Sequence, residues 1–170
     1  MKWVTRSFPG VDRTASAWFI KRFVDPEAEF TFINWPDEPI PSDAIPFDIK
    51  GVEHGHHGDK CTFETIVEKY GIDDPAVKEI AKLVHAMDFE GGLEALPEAA
   101  GIKMVISGLR FAAASDDEAL EIGFKIWEAL YAYFKLRELE ERYSEELSSM
   151  KRSEKYRFLR RKVREKLTFY

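Results

Sequence analysis

The chain has 170 residues, a formal charge of −6, and 33% charged and 14% aromatic side chains. That length can bury the core of one domain, and the aromatic bulk excludes a disordered chain. A single cysteine, Cys61, excludes an internal disulfide framework and a CxxC-type zinc knuckle, and no apolar run approaches the ~20 residues of a membrane span.

Lys2 to Arg6 alternates and is rich in strand formers, so it predicts a short strand, and Pro9-Gly10 marks a turn. From Asp12, residues Ala15, Trp18, Phe19 and Phe23 recur at helical spacing, with Asp12 or Thr14 as the expected cap and Asp25-Pro26 as the stop. Glu29 to Trp35 reads as a strand. Pro36, Pro39, Pro41 and Pro46 stiffen the following loop, and Ile45 to Val52 is expected to add a third short strand.

Beyond residue 61 the signals are helical. Phe63, Ile66, Val67 and Tyr70 form one stripe, with Thr62 as the expected cap and Gly71 as the stop. Asp74-Pro75 opens a helix striped by Val77, Ile80, Ala81 and Val84, and Ala99 to Ala114 is a weaker helical segment. Ser115 and Glu118 form a capping box before the stripe Leu120, Gly123, Phe124, Trp127, Tyr131 and Phe134. Residues 135–150 continue as charged helix, and 151–167 form a basic amphipathic segment that either folds back or reaches a second chain. The fold class is therefore α+β: two to three short N-terminal strands, a helical majority and long C-terminal helices.

Residues 151–166 carry nine basic and two acidic side chains, a local +7 that leaves −13 for the rest. An acidic body disfavours nucleic acid as a partner, although the tail can contact phosphates or pair with acidic surfaces. The first residues lack the apolar stretch of a signal peptide, so the expected location is cytoplasmic. No Gln, a single Asn (Asn34) and abundant Lys and Glu point to a thermophile source.

Chemistry concentrates in Gly51-Val-Glu-His-Gly-His-His-Gly-Asp-Lys-Cys61. Carboxylate, imidazole and thiol are the side chains that ligate transition metals, and glycines let a loop wrap its own groups around an ion. A solvated polar loop without ligand explains the same composition. Three apart on the helix from Pro75 stand His85 and Asp88, with Asp88 on the apolar stripe, where a carboxylate needs a cation, a metal or a hydrogen-bond donor. Asp12 is an ordinary helix cap or, with Arg13, part of a polar ligand site at a helix start. Cys61 is a ligand, a redox-active thiol or an inert small residue. No GxGxxG, GxxxxGK[ST], HExxH or GxSxG is present, which removes the usual support for nucleotide binding, zincin proteolysis and hydrolase-elbow chemistry.

A set of segments in consistent order resembles the chromate-resistance ChrB C-terminal domain family: Lys2-Trp-Val-Thr-Arg6, Val11-Asp-Arg-Thr-Ala15, Trp18-Phe-Ile-Lys-Arg-Phe23, Asp25-Pro-Glu-Ala-Glu-Phe30, Pro46-Phe-Asp48, Gly51-Val-Glu53, His56, Gly58, Cys61-Thr-Phe63 and Tyr70-Gly-Ile-Asp-Asp-Pro75. The resemblance makes 1–134 the domain and 135–170 a charged helical extension, in a stand-alone member. It implies a role near chromate or oxidative-stress resistance. Asp12, Arg13, Glu53, His56, Cys61 and Asp88 fall in the family's recurring polar motifs, whereas His54, His57 and His85 stand where other residue types are expected.

Together these readings predict a metal site of Glu53, His56, Asp88 and Cys61, holding a transition-metal ion with zinc or iron foremost. Asp12, Arg13, His57 and His85 are the further ligand-binding candidates. Arg13 would hold a chromate-like oxyanion or orient a carboxylate. The alternative is a regulatory module without turnover that forms a homo-oligomer through its C-terminal helices; whether the domain is an enzyme stays open.

Overall fold

A computed structural model describes residues 1–167 of the chain; the last three residues of the predicted extension lie outside the described residues. Three strands form a parallel sheet in the order β2-β1-β3: β1 (Lys2–Arg6), β2 (Glu29–Ile33) and β3 (Ile45–Pro46). A central parallel strand is covered on both faces. Trp3 and Val4 are accordingly both fully buried, Trp3 in the main core and Val4 in a smaller cluster with Ile33 and Ile49. The third strand is shorter than the sequence pattern predicts. Asp48 takes a left-handed conformation with φ 50°, which turns the chain out of the sheet after Phe47 pairs with Val4.

Helix α1 (Val11–Phe19) carries Ala15, Trp18 and Phe19 into the core and continues as a π-helical turn, Ile20–Val24, that the spacing does not predict. The expected cap does not hold. Gly10 occupies the N-cap of α1 with no side-chain bond, because Asp12 is committed elsewhere. Helix α2 (Thr62–Tyr70) ends at Gly71 as predicted, with φ 63° in the left-handed region that favours glycine. Its N-cap is Cys61 rather than Thr62, which sits one residue inside the helix.

Helix α3 (Pro75–Asp88) starts at the expected Asp74 cap, whose carboxylate accepts from the N–H of Ala76 and Val77. The same carboxylate accepts from the Tyr131 hydroxyl and the Lys135 ammonium, each at 2.8 Å. These donors belong to the long helix α6 (Asp116–Arg142), preceded in the chain by α4 (Gly92–Ala95) and α5 (Glu98–Ala112). Along α6, Leu120, Gly123, Trp127 and Tyr131 are buried, as the stripe predicts. After α7 (Ser144–Ser148), helix α8 (Arg152–Leu167) folds back on α6, where Leu139, Leu147 and Leu159 form a separate apolar cluster. The amphipathic tail therefore uses its apolar stripe inside one chain. The whole is α+β, with a small parallel sheet at the start and a helical majority. Among the described residues no helix is long and apolar enough to cross a membrane.

The Asp74 network ties α3 to α6. Burial opposes ionisation of Asp74, but bonds from Lys135 and Tyr131 together hold its pKa below the ordinary carboxylate range. Its contribution to stability is thus present above that range and is lost as pH falls through the depressed value. Asp74→Ala removes a cap and leaves the buried Lys135 with Glu138 as its remaining carboxylate partner, at an expected cost of about 2 kcal/mol in urea denaturation at neutral pH. The gap from the parent protein narrows as Asp74 itself protonates in acid.

Candidate metal centre

The polar groups gather beyond the carboxyl ends of β1 and β3, the usual ligand position of a parallel sheet. Asp12, in the first turn of α1, is only 4% exposed, and its oxygens accept from the N–H groups of Thr62 and Phe63, each at 2.8 Å. It therefore caps α2 across 50 residues of sequence. A carboxylate at a helix N-terminus meets two orphan donors and the positive end of the helix dipole.

Asp48 is the second buried carboxylate. Arg13 donates from Nε to its Oδ2 at 2.8 Å, Arg6 from Nη2 to the same oxygen at 3.1 Å, and Thr62 from its hydroxyl to Oδ1 at 3.1 Å. The Nη1 of Arg13 also donates to the carbonyls of Arg6, Ser7 and Phe8. Those three bonds hold Phe8 at φ 58°, a strained conformation for a bulky residue. Arg13 thus orients a carboxylate, and its guanidinium is taken up in doing so.

His56 brings the group together. Its Nε2 lies 3.1 Å from Oδ2 of Asp12, 3.3 Å from Oδ2 of Asp88 and 3.8 Å from Oδ1 of Asp48. One ligand atom each from Asp12, Asp48 and His56 lie within 4.8 Å of one another. The loop that carries the imidazole packs tightly: a side chain at Gly55 would begin 2.8 Å from the carbonyl of Ile49. Asp12 and Asp48 form a buried floor, while His56 is 46% and Asp88 27% exposed at the mouth. Around the rim, Lys103 donates to the carbonyl of Met87, and its charge partly opposes the upward shift of the Asp88 pKa. The guanidinium of Arg110 lies over Gly10.

Four predicted residues stand apart from this group. Glu53 is 75% exposed and pairs with Lys69 at 2.8 Å, so its carboxylate leaves the turn rather than joining His56. The Nε2 of His57 lies 2.9 Å from the carbonyl of Glu53, and its backbone closes a turn with Lys60. His85 pairs through Nδ1 with Glu64 at 2.9 Å and packs on Phe89. Cys61 is fully buried at the α2 cap, where burial, with the charge of Asp12 adding to it, pushes the thiol well above its ordinary range. It is not part of the group that Asp12, Asp48 and His56 form. Asp48, Thr62 and Arg6 were not among the predicted site residues, although each lies in a segment that carries the family resemblance: Pro46-Phe-Asp48, Cys61-Thr-Phe63 and Lys2-Trp-Val-Thr-Arg6.

The model of the ChrB C-terminal domain matches residues 3–134. The chain belongs to this family. Protein ChrB of Cupriavidus metallidurans is 35% identical over 135 residues, which cover 78% of this chain and 40% of that protein. The chain thus spans about two fifths of the relative's length. No solved structure matches it. Every residue of the His56 cluster falls inside the ChrB-type match, whereas α8 falls outside it.

Electrostatically, the ChrB-type cluster crowds negative charge on one imidazole. The hydrogen bond to Asp12, reinforced by the fields of Asp12, Asp88 and Asp48, outweighs partial burial and raises the His56 pKa above its ordinary value of 6.5. Burial, and then the neighbouring charge of Asp12, raises the Asp88 pKa. In metal-free protein, the His56 imidazole therefore titrates above pH 6.5 in an NMR pH series. Asp88→Asn moves that midpoint back toward 6.5, and the stability that protonated His56 adds below the unfolded pKa fades as pH rises through the folded one. A midpoint at or below 6.5 would remove the reading of a carboxylate-held imidazole.

Proposed function

We propose that this chromate-resistance domain binds one transition-metal ion between His56 and the carboxylates of Asp12 and Asp88, with Asp48 as a further oxygen donor. The observation that supports it is the placement of Nε2 of His56 among three carboxylates drawn from α1, α3 and the turn after β3. Arg6 and Arg13 offset the charge of Asp48, but Asp12 and Asp88 face His56 without an arginine of their own. Like charges brought together in a partly buried mouth are stabilised by a divalent cation.

The donor set is one imidazole with carboxylate oxygens and no thiolate, which suits iron(II) or zinc held by nitrogen and oxygen. Such an ion supplies Lewis acidity and, if iron, one-electron redox capacity. An oxyanion arriving at the exposed side of His56 and Asp88 would meet the positive charges of Lys103 and Arg110. Arg13 keeps the role of holding Asp48 in place. We assign the domain to a cytoplasmic metal-dependent response to chromate-like oxyanions.

Metal content of protein purified without a His-tag tests this. After loading with iron(II) under argon, or with zinc, and desalting, about one equivalent is retained by the parent and by Glu53→Gln. His56→Ala retains less than about a tenth of an equivalent. Less than that in the parent, or equal retention by His56→Ala, would contradict the proposal.

A further inference from the structure

Helix α8 sorts its charges by face. Arg157, Arg160, Arg161 and Arg164 follow one another at spacings of three, one and three, so all four share one side of the helix. All four are exposed and border one shallow surface together with Glu165. Arg157 and Arg160 make no ion pair among the described residues, while Glu165 faces Arg161 at 3.9 Å and Lys162 at 3.4 Å. The opposite side carries Leu159 and Val163 into the cluster with Leu139. At its end, the carbonyl of Leu167 accepts from Arg22 Nη2 at 3.2 Å, which anchors the helix to the body. One turn before Arg160, Tyr156 is 63% exposed, with the guanidinium of Arg152 over its ring.

We propose that this arginine face binds the phosphodiester backbone of single-stranded nucleic acid. Four guanidiniums spread over about 10 Å of helix span the reach of about three nucleotides, and each offers paired donors to a phosphate. Tyr156, 63% exposed with Arg152 over one side of its ring, adds an aromatic surface on which an unpaired base can stack, which favours a single strand over a duplex. A basic amphipathic helix that inserts into anionic lipid needs a free apolar face, and here that face is covered by α6. An acidic protein partner would require an apolar centre to its contact, and the arginine row has none.

The acidic balance of the remaining chain does not prevent this. The row points away from α6, and repulsion beyond about 8 Å is screened at physiological salt. It also lies past residue 134, where the ChrB-type match ends, so it adds to the shared domain rather than belonging to it.

Fluorescence anisotropy with the full chain and a labelled oligonucleotide of about 20 nucleotides, single-stranded or duplex, tests the proposal. The single strand binds more tightly, and its affinity falls at least about tenfold from 50 to 200 mM salt. R157A/R160A/R161A/R164A weakens binding at least about tenfold and flattens the log–log salt slope by about 3 units. Y156A weakens the single strand and leaves the duplex unchanged. Circular dichroism and retained metal match the parent in each case; should the quadruple variant lose helix, R157Q/R160Q gives the same loss in smaller measure. No anisotropy change at the lowest salt would overturn the assignment. So would unchanged binding by a folded arginine variant, or displacement of the oligonucleotide by equimolar poly-glutamate.

Discussion

One buried carboxylate organises the candidate site. Asp12 leaves the first turn of α1, accepts two backbone N–H groups from the start of α2, and faces His56 with the same oxygen that takes the Thr62 bond. A carboxylate that is 4% exposed must be met by donors or a cation, because its desolvation is otherwise too costly. The two amide bonds meet part of that demand and fix α2 against α1. The Ser16 hydroxyl, 3.3 Å from Oδ1, and the His56 imidazole meet the rest. Position and charge at the mouth therefore follow from the same contacts that hold the helices together.

A second layer of constraint surrounds Asp48. Arg13 is buried, and its bonds to Asp48 and to three successive carbonyls leave the strand-end loop one arrangement. The strained Phe8 backbone is held by those bonds. Such a network costs desolvation free energy that an apolar core would not, so its presence beside an exposed imidazole is most simply understood as preorganisation. The floor is buried and fully bonded, and the mouth, His56 and Asp88, is reachable from solvent.

Local signals made much of the architecture legible. The Asp74-Pro75 start, the Gly71 stop and the Leu120 to Tyr131 stripe all act within a turn or two of their own residues, so spacing alone reveals them. Part of the candidate cluster was legible. His56, Asp88, Asp12 and Arg13 were found, because a histidine in a glycine-rich turn and a carboxylate on an apolar stripe are unusual wherever they occur. The errors arose where a local reading competes with a distant partner. Asp12 looks like the cap of its own helix and caps another, Thr62 looks like a cap and is bound to Asp48, and Glu53 looks like a ligand beside His56 but reaches Lys69. Asp48 carries no local mark, since its partners lie 14, 35 and 42 positions away. The π-helical turn after α1 is likewise set by packing rather than by propensity.

The tail shows the same contrast. Its apolar stripe was plain from spacing, but only the fold reveals that Leu159 meets Leu139 of the same chain and so turns the arginines outward. The proposed metal centre stands or falls on which side chains share one ion. X-ray absorption at the metal edge, on tag-free protein carrying one equivalent of iron, measures this most directly. The proposed centre predicts nitrogen and oxygen ligands only, with the outer scattering of a single imidazole. A sulfur scatterer near 2.3 Å, which would bring in Cys61, or the signature of two or more imidazoles, would contradict it.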